Sequence, residues 1–292
     1  LGPVWAGGHQ VSWQSATGAV HPSYYHAADW LRSFHGGMLV TCGLQNVGLA
    51  SDDEGTSHGL HGRVSNIPAV NVTHRVIEED GRLVAEICGD MRETDVFGSD
   101  LLLRRRITLP MGETVVHVRD EVVNQGFERA GLMLLYHCNA GYPVVADGSV
   151  LATPPAEITP RDEHAARSMG QRTEFPGPQD GFVEHVYRHE LLPTDAPSVS
   201  ASIVNPGFEP TGGIGLTVSW DPNELPRMWQ WRMLGPGMYV TGLEPANCTV
   251  NGRASDREDG TLEYLEPGES RTYGVSIRVS LGAEALALAG RG

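Results

Sequence analysis

The sequence predicts an all-β chain: a large antiparallel sandwich of two sheets. Three observations point there. The 292 residues include 36 glycines and 19 prolines, so breaks come often and favour many short strands over long helices. Apolar and polar residues alternate along several stretches. Helical candidates are few and short.

The strand signals follow in chain order. "GMLVTCG" (37–43) is the first, and a polar loop, "LASDDEGTSHGLHGRVSNIPA", comes after it. "AVNVTHRVIEEDGRLVAEICGDM" reads as two strands around Asp80-Gly81, a hairpin turn pair. "LLLRRRITLPMGETVVHVRDEVVNQ" repeats the idea with Pro110-Met111-Gly112 as the turn, and another strand runs from Gly131 to His137. The Pro-rich 153–180 stretch reads as a long surface loop. Strands resume at "FVEHVYRHEL", "SVSASIVN" and "GIGLTVSW". In "RTYGVSIRVSLG", Tyr273, Val275, Ile277 and Val279 share one face, as in a half-buried strand. The helical candidates are "AADWLRSF" (27–34) and "GAEALALAG" (282–290). With no fixed-period repeat and no linker, residues 1–292 read as one domain. The chain begins at Leu1 rather than Met, which fits removal of a short N-terminal piece.

Composition excludes some partners. A hydrophobic content of 40% is ample for a buried core. With 21 basic against 36 acidic residues the net charge is −15, so nucleic acid and anionic membrane surfaces are poor partners. No apolar run approaches the roughly 20 residues needed to cross a bilayer. Cys42, Cys88, Cys138 and Cys248 form no CxxC pair, so zinc and redox spacings are missing, and reduced thiols in a cytoplasmic protein are expected. The sequons at Asn71 and Asn247 are read as chance matches. No metal site is expected: on one strand His185 and His189 would lie about 13 Å apart at roughly 3.3 Å per residue. Exposed sheet edges would suit a homodimer.

Three places gather reactive side chains. "HGLHGRVSN" (58–66) sets His61 and Arg63 among glycines, and the arginine fork can hold two oxygens at once. "LLYHCNAGYP" (134–143) ends an apolar strand in His137, Asn139 and Tyr142, and a histidine at a strand mouth can titrate near neutral pH. "MWQWRMLGPGMYVTGLEPANCTVNGR" (228–253) holds Trp231, Arg232, Glu244, Asn247 and Arg253. Aromatic faces, amides and guanidinium groups together suit a sugar, with its apolar C–H faces and rim of hydroxyls. Alternation puts Trp229 and Trp231 on one side and Gln230 on the other, and core packing is expected for one of the two tryptophans. Pro245 should hold Glu244 extended, and sheet pairing should tend to stop there.

In this order, the three places resemble the galactose mutarotase (aldose 1-epimerase) superfamily. "GRVSN" is similar to the family's sugar-binding arginine segment, "HCNAGYP" to its general-acid histidine segment and "GLEPAN" to its general-base glutamate segment. "TCGL", "HGLHGR" and "GLEPAN" look closest to a divergent, uncharacterised branch. The resemblance implies a curved β-sandwich whose cleft converts the anomers of a monosaccharide without a cofactor. Glu244 would be the base, His137 the acid and Arg63 a sugar ligand. His61, Asn139, Tyr142, Trp231, Arg232, Asn247 and Arg253 are the further substrate-binding candidates. The family's Leu-His-Gly-Gly segment is missing after residue 66, and His61 is the stand-in for its histidine. Two rival readings remain: an isomerase of a keto or acidic sugar held by Arg232 and Arg253, and a non-catalytic carbohydrate-binding protein.

Overall fold

The computed structural model describes residues 1–289. Gly290, the last residue of the expected C-terminal helix, and the final two residues of the expected domain lie outside the described residues. Two antiparallel sheets face each other. The first runs Ala156–Pro160, His185–Leu191, Arg227–Gly235, Met238–Ala246 and Ala130–Ala140, with Leu39–Leu44 and Glu263–Leu265 also paired to the last of these. The second is larger. It runs from Glu174–Phe175 through Ser149–Ala152, Val199–Asn205, Ile214–Trp220, Ser270–Leu281, Val115–Asn124, Asp100–Pro110 and Arg82–Thr94 to Val70–Glu79. The predicted sandwich is therefore the observed architecture. No described helix is long and apolar enough to cross a membrane.

Local chemistry explains the turns. Glu79 pairs with Arg82 across Asp80 (φ 52°) and Gly81 (φ 74°). Two positive φ values in a row make the two-residue turn whose twist matches the flanking strands. Val70–Glu79 leaves its far edge unpaired among the described residues, with Val72 and Val76 exposed along it.

Two expectations need correction. The 153–180 stretch is not a plain loop. It holds the edge strand Ala156–Pro160, the short helix Glu163–Arg167 and the two-residue strand Glu174–Phe175. Pro160 is tolerated at the end of an edge strand, where one missing N–H disrupts no inner ladder. Asp162 caps the helix by accepting from Ala165 N at 3.0 Å. The 27–34 segment does not form an α-helix. It makes a 3₁₀ stretch, Ala27–Arg32, with Asp29 out of helical geometry. Trp30 and Phe34 anchor it, their rings stacked at 4.6 Å.

Ala130–Ala140 is buried along its whole length because both its faces are covered. Leu132, Leu134 and Tyr136 join the core between the sheets. Met133 and Leu135 join a second apolar cluster on the outer side of the first sheet, roofed by Trp30 and Phe34. Within the sandwich, Tyr136 donates to Asp120 at 2.7 Å, and Arg105 binds the same carboxylate through Nε at 2.8 Å and Nη2 at 2.6 Å. His137, one residue on from Tyr136, faces the second cluster.

Candidate active site

The strand carrying Glu244 does not stop at Pro245, as the proline had suggested. Met228 pairs with Pro245 and Arg227 with Ala246, so the ladder to that neighbour runs on. On the other side the ladder lapses. Leu135 pairs with Ala246 and Cys138 with Leu243, and the positions between are unbridged. Proline has no N–H to give, which accounts for the gap. This register sets His137 directly across from Glu244.

The two side chains meet at His137 Nε2 and Glu244 Oε1, 3.2 Å apart. They are 5% and 3% exposed, so each is nearly withdrawn from water. The contact lacks hydrogen-bond alignment, and Glu244 Oε1 and His137 Nδ1 have no hydrogen-bond partner. Buried polar atoms left this way are rare and ask for an explanation such as a ligand. Burial first, and then the Glu184 carboxylate, raise the Glu244 pKa well above its ordinary value, with Arg161 opposing. Burial, then His61, lower the His137 pKa to about 3. Burial therefore favours the neutral form of each.

The pair forms the floor of a cavity of about 380 Å³. His61 is in its wall, with its ring 6.0 Å from that of His137. Gly48 N–H donates to His61 Nδ1 at 3.3 Å, so the neutral ring carries its proton on Nε2. Burial lowers the His61 pKa to about 4, against the pull of Glu184. Trp231 stands 5.4 Å from His137 between ring centres. Trp229, on the same face, is the tryptophan that packs: it is 2% exposed and donates to Cys248 O at 3.2 Å. Gln230 points the other way, as alternation required, and its Oε1 accepts from His189 Nε2 at 3.2 Å.

Two charged residues that line this cavity, Glu184 and Arg161, were not among the sequence candidates. Trp231 Nε1 donates to Glu184 Oε2 at 2.9 Å, and Arg161 Nη2 donates to Glu184 Oε1, also at 2.9 Å. Glu184 lies in the stretch that reads as a strand, and Arg161 in the 153–180 stretch that reads as a surface loop. Alternation puts Glu184 on the same face as Val186, and Val186 pairs with Trp231, which is a signal only once that pairing is known. Nothing in the local sequence marks Arg161; its backbone N–H bonds Val186 O at 2.9 Å and brings it alongside.

Six other expected site residues are not brought to the cavity. Arg63 lines a separate cavity of about 480 Å³, drawn there by Glu93 at 3.4 Å and Asp95 at 3.2 Å. Arg232 faces between the sheets, giving its guanidinium to the carbonyls of Gln171 and Glu174. Arg253 is held by Asp53 at 2.9 Å and Gln45 O at 3.1 Å. Asn247 bridges strands, accepting from Leu134 N at 2.7 Å. Asn139 donates to Gly37 O at 3.1 Å and His137 O at 2.9 Å, which steadies the His137 backbone without facing the cavity. Tyr142 is 71% exposed, its ring edge-on to Phe208.

A family model described as "Domain of unknown function (DUF4432)" matches residues 1–279. The chain belongs to the DUF4432 family. A search of curated proteins finds no match for it. Among solved structures, the DUF4432 chain is similar to a candidate aldose 1-epimerase from Klebsiella pneumoniae subsp. pneumoniae. The TM-score is 0.90 at 22% identity, covering 99% of this chain and 76% of that one. It is also similar to galactose 1-epimerase from Lactobacillus acidophilus NCFM, with TM-score 0.60, 14% identity and coverage of 97% and 88%. A galactose mutarotase-like protein from Clostridium acetobutylicum gives TM-score 0.57, 13% identity and coverage of 85% and 80%. This DUF4432 chain therefore has the galactose mutarotase-like β-sandwich fold.

Proposed function

We propose that this chain is an acid–base isomerase that interconverts the anomers of a reducing monosaccharide. The observation that carries the reading is the buried 3.2 Å approach of His137 Nε2 to Glu244 Oε1, with unpartnered polar atoms on both residues, at the floor of a cavity. An acid and a base within reach of one another can serve two oxygens on a single carbon, and C1 of a pyranose bears two: O1 and the ring oxygen.

The neutral resting pair becomes carboxylate and imidazolium when one proton moves from Glu244 to His137. Hydrogen bonds from a seated sugar favour that form by solvating the carboxylate. Glu244 then takes the O1 proton. The O1 electrons form the aldehyde C=O, the bond from C1 to the ring oxygen breaks with its pair going to that oxygen, and His137 supplies the proton it needs. The pair is left neutral, which is the form its burial favours. Rotation about C1–C2 presents the other aldehyde face, and the same transfers run backwards to close the ring. Nothing is oxidised or reduced, so the reaction needs no redox group. Each positioned acid or base contributes roughly 10²–10⁴-fold. Trp231 and Phe34 offer ring faces for the sugar's C–H surface, and His61 offers an N–H.

The reading that relied on Arg232 and Arg253 to hold an acidic sugar loses support, because neither lines the cavity. Exchange spectroscopy by NMR on a panel of aldoses tests the proposal. Faster exchange between α and β signals with no new product is the expected result. Exchange at the spontaneous rate for every sugar, or a new product, would overturn it.

A further inference from the structure

The same cavity is unevenly furnished. Its hydrogen-bonding groups are His137 and Glu244 at the floor, His61 in the wall beside them, and one edge, where Glu184 accepts from Arg161 and Trp231 and Arg161 also donates to Asp162. Away from that floor the walls are carbon: Trp30, Phe34, Leu60, Val186, Met233 and Val250. The apolar lining continues outward. Leu31, Leu49 and Met238 belong to the cavity wall yet are 64%, 55% and 40% exposed, so they ring its mouth. Three large apolar side chains around one opening mark a place where apolar matter is received.

A sugar seated for ring opening has C1 and the ring oxygen at the floor. Its remaining positions then meet these carbon walls. A hydroxyl buried there without a partner loses its water and gains nothing in return. A hydrogen, a methyl or a larger apolar substituent at the same position is stabilised by burial.

We propose that the substrate is a reducing sugar that is apolar on the side remote from C1. It either lacks outer hydroxyls or carries them capped by apolar groups, and the capping group extends through the Leu31–Leu49–Met238 mouth. This inference rests on the acid–base reading above.

The test compares matched sugars by NMR anomer exchange, with the wild type and Met238→Gln. D-galactose is paired with D-fucose, which differs only in lacking the outermost hydroxyl. D-glucose is paired with its benzylidene acetal, which caps the two outer hydroxyls with an aromatic group. The expected result is a kcat/KM higher by about tenfold or more for the apolar member of at least one pair. Met238→Gln should narrow that gap. Equal rates, or a preference for the hydroxylated member, overturn the substrate class while leaving the acid–base reading standing. A gap untouched by Met238→Gln also overturns it, since the mouth would then play no part. Exchange accelerated for none of the four sugars removes the acid–base reading and this inference together.

Discussion

Gly242 leaves room for Glu244: a Cβ built on the glycine would overlap the carboxylate oxygen Oε1 two residues further along the strand. The two residues share a face, and Gly242 pairs with Trp231 on the neighbouring strand. The position of the carboxylate depends on a missing methyl group.

Gly242→Ala should therefore act on rate before stability. The carboxylate is the movable partner in the clash, so the fold can adapt while Glu244 shifts away from His137. A displacement near 1 Å costs on the order of 10²-fold in a positioned reaction. We expect kcat to fall by about that factor with little change in melting temperature, measured by polarimetry and calorimetry on the same preparation. A variant as fast as the wild type would show that the position of Glu244 is not critical.

Glu244→Gln keeps the size of the side chain, His137→Asn keeps a polar amide near the Nδ1 position in a smaller side chain, and each removes the proton chemistry. Either should slow anomer exchange by roughly 10²–10⁴-fold, and the double variant should be little worse than the slower single, because the two act as one unit. Binding, followed by thermal shift with sugar, should survive in both. Unaltered rates in either single variant would remove that residue from the mechanism.

The rate should show no inflection at the ordinary histidine value. The neutral pair and the ion pair hold the same number of protons, so titration changes the total only below the lowered His137 value, about 3, or above the raised Glu244 value. An unperturbed catalytic histidine would instead give an inflection near pH ~6.5. A plot of kcat/KM between about pH 5 and about pH 8 decides the matter.

Stability carries the same signature with a definite sign. Folded Glu244 keeps its proton above the pH at which the unfolded chain loses it, so the folded state binds more protons there and stability falls as pH rises. Glutamine has no such cost. The melting temperature of Glu244→Gln should gain on the wild type with rising pH, starting near the ordinary carboxylate value of about 4.3. A pH-independent difference would mean that Glu244 is not held protonated.

In the sandwich interior, Asp120→Asn should be costly. It leaves the buried Arg105 guanidinium without its counter-charge, and breaking one partner of such a pair costs about 3–5 kcal/mol. Urea unfolding measures it. A loss well under ~1 kcal/mol would show that Arg105 finds another partner or reaches water.

Much of the sandwich was legible because alternation and turn chemistry are local. Asp80-Gly81 fixes its hairpin through two positive φ values, and Tyr273 to Val279 declare their buried face by period alone. The 153–180 stretch was not legible, since its strand and helix are each five residues long and are held by neighbours far away in sequence. The pairing of His137 with Glu244 came from resemblance. Which arginine reaches the cavity was beyond local reading: Glu93 and Asp95 draw Arg63 aside from some thirty positions away, and the bond to Val186 brings Arg161 in. Such choices are made by pairing between distant strands, and no spacing records them.

The cover and the floor of the cavity differ in how they are held. His137 stands on a strand sealed on both faces, whose amides exchange with solvent only when the whole molecule opens. Trp30 belongs to a short segment tied down by its own indole bond to Ser65 Oγ at 3.2 Å and by Tyr25 to Gly62 O at 3.0 Å. Deuterium uptake should therefore be fast in the cover and slowest beneath it. Admission and proton transfer thus rest on parts of unequal firmness: the cover around Trp30 can be re-engineered while the machinery under it stays locked.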